Sequence, residues 1–139
     1  MHAAQTAALA QYCPDLEQWP ERWRGEDADL PPGQAIVAFF KPFLLHMLAE
    51  GLATKTLHRH RDHLWLLGGE LIRRRYDDAK LKKMPAAKAI AQVIDDEGGP
   101  LIWPRITEAE QKSFDATCRK LYKYLNSTPR PALQGKKHP

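Results

Sequence analysis

The densest run of chemically capable side chains lies between Gly51 and Leu64: Gly51-Leu52-Ala53-Thr54-Lys55-Thr56-Leu57-His58-Arg59-His60-Arg61-Asp62-His63-Leu64. Thr54 is a good N-cap residue, so a helix is predicted to begin there. A helix start presents free N–H groups and the positive end of the helix dipole, and both favour phosphate. The hydroxyls of Thr54 and Thr56 and the ammonium of Lys55 add further phosphate-binding groups. His58 belongs to the same stretch. Lys55 and Arg59 are four residues apart and share a face, whereas Arg61 lies ~200° round the helix from Arg59. Arg73, Arg74 and Arg75 fall at the far end of the same predicted helix, with Arg73 ~27 Å from Lys55 at 1.5 Å per residue. They can meet a second run of phosphates or complement the C-terminal dipole.

Other reactive types are sparser. His60 and His63 share a helical face, but His58 points elsewhere. No Glu or Cys supplies a third ligand and no His-Glu-x-x-His pair is present, so no metal is expected. Histidines that face phosphate would strengthen binding below pH ~6.5, as the imidazoles charge. Cys118 falls on an apolar stripe and reads as a buried structural thiol. Asp95-Asp96-Glu97 lacks the alternating ligands of a calcium loop and reads as a solvated helix end. There is no Gly-rich phosphate loop, nucleophile elbow or catalytic carboxylate pair. A non-enzymatic chain without a cofactor is the expectation.

The elements that must position these groups are helices. The 139 residues suit one domain of ordinary size. No stretch alternates β-branched and polar residues, and good helix formers dominate. Residues 1–33, with four prolines and two glycines, read as an irregular leader, with a short helix near Asp15–Trp19. Trp19 and Trp23, four apart, are expected to staple it to the body. A first strong helix is predicted over Gln34–Glu50, with a kink or break at Pro42 and Gly51 as its C′ residue. The second runs from Thr54 to Tyr76; Gly68 and Gly69 inside it imply a close neighbour or a bend. A basic linker, Lys80–Lys83, leads to a third helix over Ala86–Asp96. A last helix runs from Thr107 to Leu125. Residues 127–139 read as a disordered tail to which Lys136 and Lys137 add charge. The expected architecture is an all-α, four- to five-helix bundle over residues 34–126. No apolar run approaches the ~18 residues of a membrane span, no signal peptide is evident, and two cysteines make no disulfide framework. A cytoplasmic setting with no membrane partner is expected.

Charge points to the partner. The formal net charge is +4 and the isoelectric point about 9.1. Residues 1–30 carry two basic and six acidic residues (−4), and residues 31–139 carry 19 basic and 11 acidic (+8). A basic body favours an anionic partner, nucleic acid above all; the alternative is a solvated basic surface.

Gly51-Leu52-Ala53, then Thr56-Leu57, His60 and Leu64, form a corner that resembles the core-binding, SAM-like N-terminal domain of tyrosine recombinases (the phage-integrase family). The preceding Phe43–Leu48 and the closing Arg119–Leu125 are similar to flanking helices of such domains, so the resemblance spans roughly residues 34–126. It implies a DNA-clamping module. The tyrosine nucleophile of that family lies in a separate catalytic domain, and none of Tyr12, Tyr76, Tyr122 and Tyr124 sits in a matching motif. The implied partner is double-stranded DNA, gripped through Thr54, Lys55, Thr56, His58, Arg59 and Arg61, with Arg73, Arg74, Lys82, Lys83, Lys120 and Lys123 adding backbone contacts. The implied setting is an accessory factor of a mobile element, beside a recombinase or other protein partner. The competing reading is a protein-interaction module or small regulatory subunit that docks through Trp19, Trp23, Trp65 and Trp103.

Overall fold

A computed structural model describes residues 3–127 of the chain. The predicted tail, with Lys136 and Lys137, lies outside the described residues beyond Ser127. Among the described residues seven α-helices follow one another: α1 (Ala3–Tyr12), α2 (Trp19–Trp23), α3 (Leu30–Ala49), α4 (Thr54–Arg75), α5 (Ala79–Lys83), α6 (Ala86–Val93) and α7 (Glu108–Ser127). The all-α class is as expected, but the helix count exceeds the four or five predicted.

The centre is α3, with α1, α2, α4 and α6 packed around it. Phe40, Phe43, Leu44 and Met47 are fully buried along it, the inward stripe that its helical periodicity dictates. Pro31 and Pro32 sit in its first turn, where the missing N–H costs nothing. Pro42 lies inside α3 on the solvent side and does not end it, so the predicted break is absent. Asp27–Ala49 is also long and apolar enough, by length and composition, to cross a membrane, contrary to the expectation that no segment qualifies. In this fold that segment is the core helix.

Residues 3–33, the described part of the expected leader, are not irregular. Leu9, Tyr12, Cys13, Leu16 and Trp19 all join the core. Their prolines punctuate short helices rather than prevent them: Pro14 follows α1 and Pro20 opens α2. Burying a Leu-sized side chain contributes roughly 1.5–3 kcal/mol, so this segment is part of the domain's stability. Trp23 completes the attachment. Its ring lies so close to Gly68 that a Cβ there would stand 2.3 Å from it, and its indole Nε1 donates to the carbonyl of Trp65 at 3.0 Å. The paired glycines of α4 thus admit a tryptophan ring.

Gly51 adopts φ +72° between α3 and α4, the left-handed C′ conformation that favours glycine. The basic run Lys80–Lys83 is helix α5, not a linker. Asp78 caps it by accepting from the amides of Lys80 and Leu81, and Leu81 is buried. α6 stops at Val93, short of the predicted Asp96. Thr107 and Glu110 exchange reciprocal side-chain-to-amide bonds of 3.0 and 2.8 Å that start α7, the capping-box arrangement. One turn on, the buried Gln111 carboxamide accepts from the amides of Ile102 and Trp103 and donates to Pro100 carbonyl and Asp115. That amide fastens the long loop between α6 and α7 in place.

Candidate nucleic-acid interface

The start of α4 is open. The cap position is Ala53 rather than Thr54, and no side chain caps the first turn. The first chain bond there is from the Leu57 amide to the Ala53 carbonyl at 2.9 Å. The amides of Thr54, Lys55 and Thr56 therefore lack helical acceptors, as at any helix start. Thr54, Lys55, His58 and Arg59 are exposed, and Thr56 is half-buried. α1 covers only one flank: Tyr12 donates its hydroxyl to the Leu57 carbonyl at 2.6 Å, and Arg61 donates to the Tyr12 carbonyl at 3.1 Å.

The Arg61 bond removes that residue from the expected set. Its guanidinium also bonds Asp62 at 3.0 Å, so it is a strut between α1 and α4. Lys120, on α7, pairs with Glu50 at 2.8 Å. Lys123 lies one turn beyond Lys120 and is exposed. Lys55, Arg59 and Lys123 make no ion pair among the described residues.

Beneath this end lies a polar knot of His60, His63 and Thr117. His60 and His63 both contact the Thr117 hydroxyl through Nδ1, each at 2.7 Å. One hydroxyl proton serves two ring nitrogens, so Thr117 donates to one imidazole and accepts an N–H from the other. Burial pushes the His60 pKa down to about 4, with the charges of Lys120 and Arg59 adding to the shift. Burial, with Arg59 adding, lowers His63 as well. These are neutral, structural histidines, and the expected strengthening of phosphate binding as they charge has no basis here. Their i, i+3 spacing marks the shared face; what it does not reveal is Thr117 on the helix opposite.

The far end of α4 is organised differently. Glu70, with its side chain only 2% exposed, receives Arg73 at 2.9 Å, Arg74 at 2.7 Å and Arg105 at 2.5 Å. Burial alone would raise its pKa, but the three guanidiniums win and hold it at about 2. Arg73 and Arg74 are thus committed to an internal carboxylate rather than presented as free phosphate ligands. Arg105 gives no signal in the sequence, because its partner lies 35 residues earlier. Lys82 and Lys83, on α5, are exposed and unpaired among the described residues. They stand at this end of α4, not with Lys55 and Arg59.

Cys118 is buried as expected, and burial pushes its thiol pKa well up. Cys13 is likewise buried and raised to about 12. Asp95, Asp96 and Glu97 are exposed, with carboxylate atoms within 4.8 Å of one another; Asp95 already accepts from the amides of Glu97 and Gly98. Of the four tryptophans, Trp19 is buried and Trp23 half-buried, while Trp65 and Trp103 are 42% and 48% exposed.

No protein-family model matches the chain, and searches of curated proteins and of solved structures likewise find no match.

Proposed function

We propose that the chain is a non-enzymatic module that binds the backbone of duplex DNA at the start of α4. The carrying observation is the uncapped N-terminus of α4 with exposed, unpaired Lys55 and Arg59 on one helical face. Open amides and the dipole supply a phosphate seat, and Lys55, Arg59 and Lys123 supply the charge that makes binding salt-dependent. Thr54 and His58 lie within the same exposed patch. The resemblance of the Gly51–Leu64 corner to an integrase core-binding domain supports the same partner. On that analogy the module serves a mobile element as an accessory to a recombinase.

The test is salt titration of binding to a duplex of about 20 base pairs. Removing one cation that neutralises a phosphate lowers the slope of log K against log salt by roughly 0.9. The double variant Lys55→Ala/Arg59→Ala should therefore lower it by about 1–2. Binding with a flat salt response, or a slope untouched by this pair, overturns the reading.

A second reading, docking of a protein partner, is favoured by Trp65 and Trp103 and by Leu101, which is 64% exposed. Trp19 and Trp23 do not contribute to it, because their rings are taken up inside the fold.

A further inference from the structure

We propose that the outward face of α3, with α1 beside it, is a self-association surface whose occupant is the same face of a second copy of this chain. The proposal is independent of DNA binding. A helix that is apolar all round belongs inside a structure. α3 comes close to that description: Lys41 is its one charged residue, yet only 39% of its most apolar stretch is buried in the fold. Its outer side carries the exposed Ala35, Ala38, Pro42 and Ala49 and the half-buried Leu45, spaced alternately 3 and 4 residues apart. That alternation is the seam by which one helix lies along another.

The absence of charge sets this face apart. Fifteen residues of α1 and α3 are exposed, eight in the first and seven in the second; none is Lys, Arg, Asp or Glu, and ten are Ala or Pro. α4 and α7 expose the same number, seven and eight, and nine of those are charged. α2, α5 and α6 expose charged residues too, among them Glu21, Lys82 and Lys88. α1 packs against α3, so the two uncharged helices are neighbours. Lys41 is half-buried and held by Glu17 at 2.7 Å. His46, the one titratable side chain among the fifteen, leans on Glu50 at 3.5 Å.

Charge decides what fits. A charged counterface would be desolvated here with nothing to pair its charges, which is costly. The occupant must therefore be as free of charge as the face itself, the depletion seen at the core of protein interfaces. Among the described residues, the face of α1 and α3 is the one that meets this demand. Docking on a lipid surface calls for unpaired cations beside the apolar face, and Lys41 is already paired. At 1.5 Å per residue and about 10 Å of helix width, the two helices offer roughly 450 Å² per copy. That is the low end of interface sizes, so a weak dimer with a micromolar Kd is expected. In a two-fold dimer the middle residue of the seam, Pro42, lies nearest the axis.

Sedimentation of the full chain from about 1 to about 500 µM is the test. The parent should move from 15.9 kDa toward twice that mass. Pro42→Glu and Pro42→Lys each set like charges against one another near the axis and should raise the dimer Kd at least about 100-fold. Both replace a proline inside a helix with a better helix former, so the fold is kept. Mixing the two variants should restore association, because Glu then meets Lys. Ala38→Glu, one turn earlier on the seam, should weaken the dimer as well and keeps the test open if the Pro42 variants unfold. Ala109→Glu, exposed on α7, adds a charge off the face and should leave Kd within about two-fold of the parent. A parent that stays monomeric up to about 500 µM, a dimer that survives the Pro42 variants or yields equally to Ala109→Glu, or a mixture no more dimeric than its components would overturn the assignment. Co-sedimentation of a monomeric chain with phosphatidylcholine vesicles would overturn it in favour of a lipid surface. Duplex binding is read separately, and its loss or survival in these variants bears only on the DNA reading.

Discussion

The two ends of α4 carry similar numbers of cations and use them in opposite ways. At its start, Lys55 and Arg59 face solvent without a partner; at its end, Arg73, Arg74 and Arg105 converge on the buried Glu70. The difference teaches that clustered positive charge becomes a binding surface only where the protein has not already neutralised it. Arg105 ties the loop before α7 to α4, Arg73 and Arg74 brace the same carboxylate from within α4, and Glu70 is the group on which all three depend. Replacing it is therefore the largest expected perturbation. Glu70→Gln keeps the volume but turns an amide N–H toward guanidiniums. Removing one partner of a buried ion pair costs about 3–5 kcal/mol; because these arginines are partly exposed and can rehydrate, about 3 kcal/mol is expected. A urea-unfolding midpoint shifted by less than about 0.5 kcal/mol of stability would show that the cluster is ornamental.

Acid separates the two ends next. His60 is held neutral, with its pKa lowered from 6.5 to about 4. Between those values the unfolded chain takes up a proton that the folded chain refuses, so this stabilisation is complete above about pH 6.5 and is lost as pH falls toward 4. A shift of that size corresponds to something on the order of 3 kcal/mol, before discounting for relaxation. Glu70 titrates lower: its depressed pKa gives stability present above about 4.5 and lost as pH falls toward 2. Unfolding measured from pH 7 to 3 should thus fall in two limbs, the upper from the histidine knot. His60→Gln should shrink the upper limb to what His63 contributes and leave the lower one. A single limb below pH 4.5 in the parent chain would mean that His60 is not held neutral by the fold.

Much of this architecture is legible in the residues. The stripe of Phe40, Phe43, Leu44 and Met47, the apolar face of α4, the Gly51 cap and the staple formed by Trp19 and Trp23 follow from helical spacing and glycine stereochemistry. Residues 3–33 are harder, because α2 is only five residues long and offers no period to read. Their burial is decided by tertiary partners such as Gly68 and Gly33, which accept Trp23 and Pro20 at close range. The candidate interface divides along the same line. Exposure of Lys55 and Arg59 follows from the amphipathic pattern of their own helix. The fates of Arg61, Arg73, Arg74 and Lys120 are set by Tyr12, Glu70 and Glu50. A spacing of three or four residues is enough to flag Glu70 for Arg73 and Arg74, as pairs along one helix; nothing local flags the Tyr12 carbonyl, 49 residues from Arg61.

The smallest expected effect is the one that tests whether place, rather than charge, matters. Lys82→Ala/Lys83→Ala removes two exposed cations, the same charge as Lys55→Ala/Arg59→Ala. Neither pair makes an ion pair among the described residues, so stability should stay within about 0.5 kcal/mol in both cases. Lys82 and Lys83 belong to the far end of α4, whose Arg73 stands ~27 Å along the helix from Lys55. Exposed charges farther apart than the ~8 Å screening length at physiological salt scarcely feel one another. A duplex seated at the start of α4 should therefore lose almost none of its salt slope when the α5 lysines are removed, and about 1–2 when Lys55 and Arg59 are. Equal losses from the two pairs would mean that DNA responds to total charge over the whole surface. The uncapped turn would then have no special part in binding.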